Sequence, residues 1–288
     1  MNKKLLLHID DLNVRFPTPK GAVSAVKNVG FSMGKEKIGI VGESGSGKSV
    51  TGRAILRLLP SYAHVDARTI TFKEQNLLLL SEKEMRKIRG MEISMVMQDP
   101  KYSLNPVRTV GEQIREAYSI HHHVTRKKAR EQSLKMLADV RIRNPAQVYR
   151  LYPHEVSGGM GQRIMIAMML IPGPSLLIAD EPTSALDVTV QLQVLAILDD
   201  LVTQRGMGLI FISHDLELVS SFCDRIIIMY GGRIMEIVDA SNLHNSQHPY
   251  TRGLLSCLPR IHGERKRLPT LVRDDSWLEP KPHASSVG

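Results

Sequence analysis

Ile38-Gly39-Ile40-Val41-Gly42-Glu43-Ser44-Gly45-Ser46-Gly47-Lys48-Ser49-Val50 is the stretch on which the fold turns. From Gly42 to Ser49 it fits the pattern G-x-x-x-x-G-K-[ST] at every fixed position. The apolar run before it reads as a buried parallel strand, and residues 50–59 after it read as a helix. Strand, glycine loop and helix in that order form the context in which this pattern holds phosphate. Glycines let the backbone curl until successive N–H groups point inward at phosphate oxygens. The helix start adds partial positive charge. Lys48 is placed to reach the β- and γ-phosphates, and the Ser49 hydroxyl to ligate Mg²⁺. Gly42, Glu43, Ser44, Gly45, Ser46, Gly47, Lys48, Ser49 and Val50 are therefore the candidate segment for binding a nucleoside triphosphate with its Mg²⁺.

The 288 residues give room for one large α/β domain with an appendage, or for two modest domains. A hydrophobic fraction of 42% is ample for a core. The longest uninterrupted apolar run, 164–171, falls far short of the roughly 20 residues a membrane-spanning helix needs. Met1-Asn2-Lys3-Lys4 is basic, but the apolar Leu5-Leu6-Leu7 is cut off at once by His8 and Asp10, so no secretory signal is expected. A soluble, cytoplasmic protein is the expectation. Two cysteines, Cys223 and Cys257, are too few and too far apart for a disulfide framework or a zinc site. The net charge of +9 is unevenly placed: residues 103–163 hold 11 Lys/Arg against 5 Asp/Glu. Nucleic acid and an anionic membrane surface would each attract such a stretch. No aromatic-interleaved basic motif or recognition helix accompanies it, so charge alone does not choose.

Along the chain, residues 5–32 alternate apolar and polar around Pro17, Pro19 and Gly21, which predicts a β-rich N-terminal layer; 69–72 reads as a further strand of it. Residues 93–97 form a short strand ending at Gln98-Asp99-Pro100. Residues 103–172 carry mostly helical patterns, among them 126–137 with one polar and one apolar face. Strand and helix then alternate: strand 176–180, helix 190–203, strand 209–213, strand 226–230, and a hairpin turn at Gly231-Gly232 into 233–236. This predicts a mainly parallel sheet covered on both faces, with the helical stretch inserted into it. Beyond Pro259 the chain is rich in proline, charge and serine and reads as a loose tail.

Val156-Ser157-Gly158-Gly159-Met160 would mean little alone, since small-residue turns are common. Gly161-Gln162-Arg163 and an apolar helix follow it, and then Leu176-Leu177-Ile178-Ala179-Asp180-Glu181-Pro182-Thr183-Ser184-Ala185-Leu186-Asp187. Together with the phosphate loop, and in this order, these segments closely resemble the ATPase subunits of ABC transporters, over about residues 5–260. The resemblance implies an α/β P-loop NTPase (RecA-like) core. To that core it adds an N-terminal antiparallel β subdomain and an inserted α-helical subdomain at about 103–172. It implies an ATPase domain over 1–247 and a C-terminal extension over 248–288.

The resemblance also assigns roles. Asp180 would hold Mg²⁺ through its water shell, with Ser49 and Gln98 as the other metal-side groups. Glu181 would polarise the attacking water, Gln98 would contact metal and water, and His214 would stabilise charge at the γ-phosphate. Phe16 stands where the family places an aromatic that stacks on adenine, with a simple core residue as the alternative reading. Ser157, Gly158 and Gly159 would cap the γ-phosphate held by a second, head-to-tail subunit, and Asp187 would face that subunit. Val156, Met160 and Gly161 depart from the family's common leucine, glutamine and polar residue. They leave the Ser-Gly-Gly core intact and bear on whether both composite sites of a pair work equally.

Met160, Gln98-Asp99-Pro100 with Ser103-Leu104-Asn105-Pro106, and His248-Pro249-Tyr250-Thr251-Arg252-Gly253-Leu254-Leu255 look like the peptide/nickel importer branch. That likeness implies ATP-driven import of peptides, nickel or metal chelates. It implies two transmembrane permease subunits, a second and non-identical ATPase, a solute-binding protein, and a place on the cytoplasmic face of the inner membrane, with no nucleic acid. A soluble ABC ATPase acting on nucleic acid or ribosomes is the alternative. Branch members with an iron–sulfur cluster bind it through a cysteine-rich tail; with no cysteine after Cys257, no cluster is expected here. His121-His122-His123 could bind metal but reads better as a solvated helix or loop. Met160, Met165, Met168 and Met169 lie among Ile164, Ile166, Ala167 and Leu170, the pattern of an ordinary buried helix.

Overall fold

A computed structural model describes residues 5–98, 103–184, 186–257, 274 and 277 of the chain. Two sheets organise it. The first is antiparallel and built from β1 (Leu7–Thr18), β2 (Gly21–Met33), β4 (His64–Asp66), β5 (Thr69–Phe72) and β6 (Gln75–Asn76). Its order is β2-β1-β5-β6, with β4 also paired to β1. The alternation seen in the sequence is the alternation of burial: Leu7, Ile9, Leu12 and Val14 face inward.

The second sheet comprises β3 (Lys37–Gly42), β7 (Ile93–Val96), β8 (Leu176–Asp180), β9 (Gly208–Ile212), β10 (Arg225–Tyr230) and β11 (Arg233–Asp239). In the order β11-β10-β3-β9-β8-β7 all neighbours are parallel except the β10–β11 hairpin. Gly231 and Gly232 turn that hairpin, both at positive φ (54° and 84°), where a side chain would be strained. All residues of β7, β8 and β9 are buried, as strands covered on both faces require.

Helix α1 (Lys48–Ile55) follows the glycine loop and is shorter than the sequence pattern predicts. Arg57 takes a left-handed φ of 52°, its N–H bonds back to the Ala54 carbonyl, and its guanidinium donates to the Leu77 and Leu80 carbonyls. These bonds end the helix early. Helix α2 (Glu82–Ile88) precedes β7. The expected helical insertion contains α3 (Val110–Ser119), α4 (Arg126–Asp139), α5 (Pro145–Val148) and α6 (Gly158–Leu170). Helices α7 (Val188–Arg205), α8 (Leu216–Phe222) and α9 (Pro249–Ser256) cover the parallel sheet and its end. One apolar cluster joins β1, β2 and β5 to β3, β9 and α1; another joins the other sheet face to α3, α4, α6 and α7. Met165 is fully buried and Met160, Met168 and Met169 pack on this second cluster, so the methionine stripe is core.

The histidine run is a loop, as the sequence reading held, but only His123 is exposed; His121 and His122 are packed. His121 is half-buried beside Gly90, and burial lowers its pKa. His122 stacks on Tyr118 and bonds the Pro172 carbonyl at 3.0 Å. Among the described residues no group of His, Cys, Asp and Glu is arranged to hold a metal ion, and no helix is long and apolar enough to cross a membrane. Asp99 and Pro100 of the branch motif lie outside the described set, as does the expected loose tail, on which the iron–sulfur expectation also rests, except for Asp274 and Trp277.

Candidate nucleotide site

Parallel strands end on one side of the sheet, and loops leaving those ends form a crevice where ligands collect. Ser49 follows β3, Gln98 follows β7, Asp180 ends β8 with Glu181 next, and His214 follows β9. The register aligns Asp180 with Ile212. Four separate strand ends thus converge.

Lys48 is 6% exposed, and its ammonium donates to the carbonyls of Gly42 at 2.7 Å and Glu43 at 2.9 Å. Burial lowers its pKa, while Glu181, Asp180 and Glu43 pull the other way. The Ser49 hydroxyl donates to Asp180 Oδ1 at 2.6 Å. Burial raises the Asp180 pKa; the Ser49 hydrogen bond and Arg53, 3.7 Å away, oppose the rise, and Glu181 adds to it. Glu181 sits in the left-handed region at φ 48°, and its N–H donates to the Ile212 carbonyl at 2.9 Å. A non-glycine residue there is strained, a feature that clusters at working sites. The bend leaves its carboxylate between two partners: Gln98 Nε2 donates to Oε2 at 3.3 Å, and His214 Nδ1 lies 3.2 Å from Oε1.

Two observations test the fit of a phosphate–metal group. The Ser46 hydroxyl is buried in the loop with no hydrogen-bond partner, an arrangement that a phosphate oxygen would satisfy. Ser49, Asp180 and Gln98 offer hydroxyl, carboxylate and amide oxygens, the hard donors that suit Mg²⁺. The residues present fit both.

Other expected residues stand apart from this cluster. The Ser157 hydroxyl caps α6, accepting from the Met160 N–H at 3.4 Å. The Asp187 carboxylate caps α7, accepting from the Val190 N–H at 3.0 Å. Neither bonds to the phosphate loop of its own chain. A Cβ on Gly158 would meet nothing within 4 Å, whereas one on Gly159 would lie 2.6 Å from Val190 Cγ1. Close approach at Gly159 therefore serves packing of α6 on α7. Half-buried Phe16 packs against the edge of Tyr62, ring centroids 6.3 Å apart. Sequence reasoning missed Arg53, although it lies four residues after Ser49 on α1 and so on the same helix face. It also missed the Tyr250 hydroxyl, which accepts from the Glu43 N–H at 3.4 Å and for which no local pattern gives a signal.

Comparison with known proteins agrees with this geometry. The ABC transporter family profile matches residues 26–184. A probable peptide ABC transporter ATP-binding protein of Sinorhizobium fredii is 49% identical, over 93% of this chain and 81% of the relative. A dipeptide transport ATP-binding protein of Bacillus subtilis is 48% identical, over 89% and 77%. An oligopeptide transport ATP-binding protein of Escherichia coli is 44% identical, over 92% and 79%. Among solved structures, a dimeric ATP-binding cassette in a post-hydrolysis state with ADP and Pi aligns at a TM-score of 0.73. It shares 24% identity and covers 82% of this chain and 99% of its own. A subunit of an ABC transporter complex from Clostridium perfringens aligns at 0.71, with 24% identity, over 88% and 95%. With a glycine loop, an aspartate–glutamate pair and a histidine gathered where the parallel strands end, and relatives alike over most of its length, the chain belongs to the ABC transporter family as an ATP-binding, ATP-hydrolysing subunit.

Proposed function

We propose that this subunit energises the import of peptides or related solutes, nickel and metal chelates included. The observation carrying the chemical part is the Glu181 carboxylate held between Gln98 and His214, one residue beyond the Asp180–Ser49 pair. In this reading Gln98 and His214 orient Glu181, which accepts the proton of the attacking water. Lys48 and the loop N–H groups hold the β- and γ-phosphates, and Ser49, Asp180 and Gln98 hold Mg²⁺. Mg²⁺ held by these residues would supply charge neutralisation at the phosphates. Ser157, Gly158, Gly159 and Asp187 act in trans, on nucleotide bound by a second ATPase, and Phe16 stacks on adenine.

The peptide part rests on the names and closeness of the three relatives above, each a transport protein, and nothing in them favours the non-transport alternative. The partners are two permeases, a second ATPase and, indirectly, a solute-binding protein, with the chain peripheral on the cytoplasmic face of the inner membrane. The test is uptake by cells lacking the gene: wild-type protein is expected to restore entry of a labelled dipeptide or of nickel, and Lys48→Ala to restore neither. Restoration by Lys48→Ala would refute the energising role.

A further inference from the structure

The C-terminal aromatic residues reach the phosphate loop from behind. Tyr250 is fully buried near the start of α9, with its hydroxyl accepting from the Glu43 N–H at 3.4 Å. The carbonyl of the same Gly42–Glu43 peptide unit accepts from the Lys48 ammonium at 2.7 Å. A peptide unit is planar and moves as one piece. Tyr250 and Lys48 therefore grip opposite edges of a single plate, and a phosphate that draws the ammonium away changes the load on the Tyr250 side.

A second contact runs parallel to the first. A Cβ on Gly42 would lie 2.1 Å from the Met229 carbonyl oxygen, so loop and β10 touch backbone to backbone. The next residue, Tyr230, packs its ring on Tyr250, centroids 4.7 Å apart. Trp277 completes the group, edge-on to Tyr250 at 5.7 Å and to Tyr230 at 5.9 Å. The His248 Nδ1 accepts from the Tyr250 N–H at 3.1 Å and fixes the start of α9. A buried ring needs no hydroxyl to fill space; a buried hydroxyl needs a partner, and here the loop backbone supplies one.

We propose that Tyr250 is a positioning residue for the phosphate loop, and that nucleotide occupancy is felt through it at Trp277 in the C-terminal extension. The proposal rests on the nucleotide reading of the site. Trp277 is the sole tryptophan, so its emission reports this contact without any label. The experiment titrates the full-length chain with MgATP and MgADP, following binding by calorimetry and Trp277 emission in parallel. Wild type is expected to show an emission change that saturates with the calorimetric constant. Tyr250→Phe keeps the ring and removes the hydroxyl. It is expected to bind nucleotide roughly two- to tenfold more weakly, the range of one neutral hydrogen bond, and to lose the emission change. A Tyr250→Phe protein with wild-type affinity, or one that keeps the emission change, overturns the proposal. So does a silent Trp277 in wild type whose calorimetry shows saturation, and in that case the nucleotide reading stands. Absence of calorimetric binding by wild type would overturn both.

Discussion

Lys48, Glu181 and Asp180 gather at the ends of the parallel strands, and each is expected to fail differently when changed. Lys48→Ala removes the charge aimed at the phosphates and should abolish productive ATP binding in a calorimetric titration. Glu181→Gln keeps size and the contacts to Gln98 and His214 but cannot take a proton. Binding should persist while steady-state turnover of the assembled transporter falls by about 10²–10³-fold, the contribution of a general base, and the ATP-bound pair should accumulate. Near-normal turnover would remove Glu181 from that role. Asp180 offers a test with a pH sign. Burial raises its pKa in the fold, so the unfolded chain ionises first as pH rises, and the native state loses stability until the folded carboxyl also ionises. The destabilisation is thus complete above the raised pKa and absent below the ordinary carboxylate range. Asp180→Asn should therefore raise the melting temperature of the nucleotide-free chain at neutral pH, with the gain vanishing in acid, while it impairs Mg²⁺-dependent hydrolysis. A variant melting lower than wild type at neutral pH would show that the bond from Ser49 outweighs burial.

Elements divide into those the sequence makes legible and those it does not. The glycine loop, the buried strands and the Gly231–Gly232 hairpin are local: their residue types dictate their backbone. The gathering of Gln98, Glu181 and His214 is different, because it depends on the side-by-side order β3-β9-β8-β7, which no single segment encodes. The family resemblance supplied it. Helix α1 ends early because Arg57 is held by the carbonyls of Leu77 and Leu80, far along the chain, and His121 and His122 are packed by Gly90 and Pro172; neither fact leaves a periodic trace. The start of α6 shows how two adjacent glycines can differ. Gly158 has open space where a side chain would stand, and Gly159 has Val190, whose branched side chain has little rotamer freedom in a helix. Gly159→Ala should lower stability by about 1–3 kcal/mol through overpacking, and Val190→Ala should restore much of it. Gly158→Ala should leave the melting temperature of the isolated chain unchanged or higher, yet reduce turnover in the assembled transporter if, as proposed, that open space faces nucleotide on the second subunit. Equal melting temperatures for the two glycine variants would count against this division.

At the scale of the whole molecule, the chain carries one phosphate loop and one capping segment that do not meet. Ser157 and Asp187 spend their hydrogen bonds on their own helices, and none reaches the cluster around Lys48. On the proposed reading, a site that needs both halves requires a second subunit, and Met160 in the capping segment would mark this chain as the drifted member of an unequal pair. The isolated protein is expected to be mainly monomeric, with weak ATPase activity. Adding the second ATPase and the permeases should raise turnover, and Ser157→Arg in this chain should impair the site built on the partner's loop while leaving its own nucleotide binding intact. Charge supports a place at the membrane. Arg126, Lys127 and Lys128 are exposed at the start of α4, within the stretch carrying the basic excess. Each basic residue near an anionic surface contributes about 1 kcal/mol of attraction, screened by salt. The chain should therefore co-purify with membranes when the permeases are present, and reversal of these three charges should weaken that association most at low ionic strength. The measurement is sedimentation of membranes and assay of the pellet. A fully active homodimer obtained with no membrane protein would defeat the heteromeric importer reading and favour an ABC ATPase that works in solution.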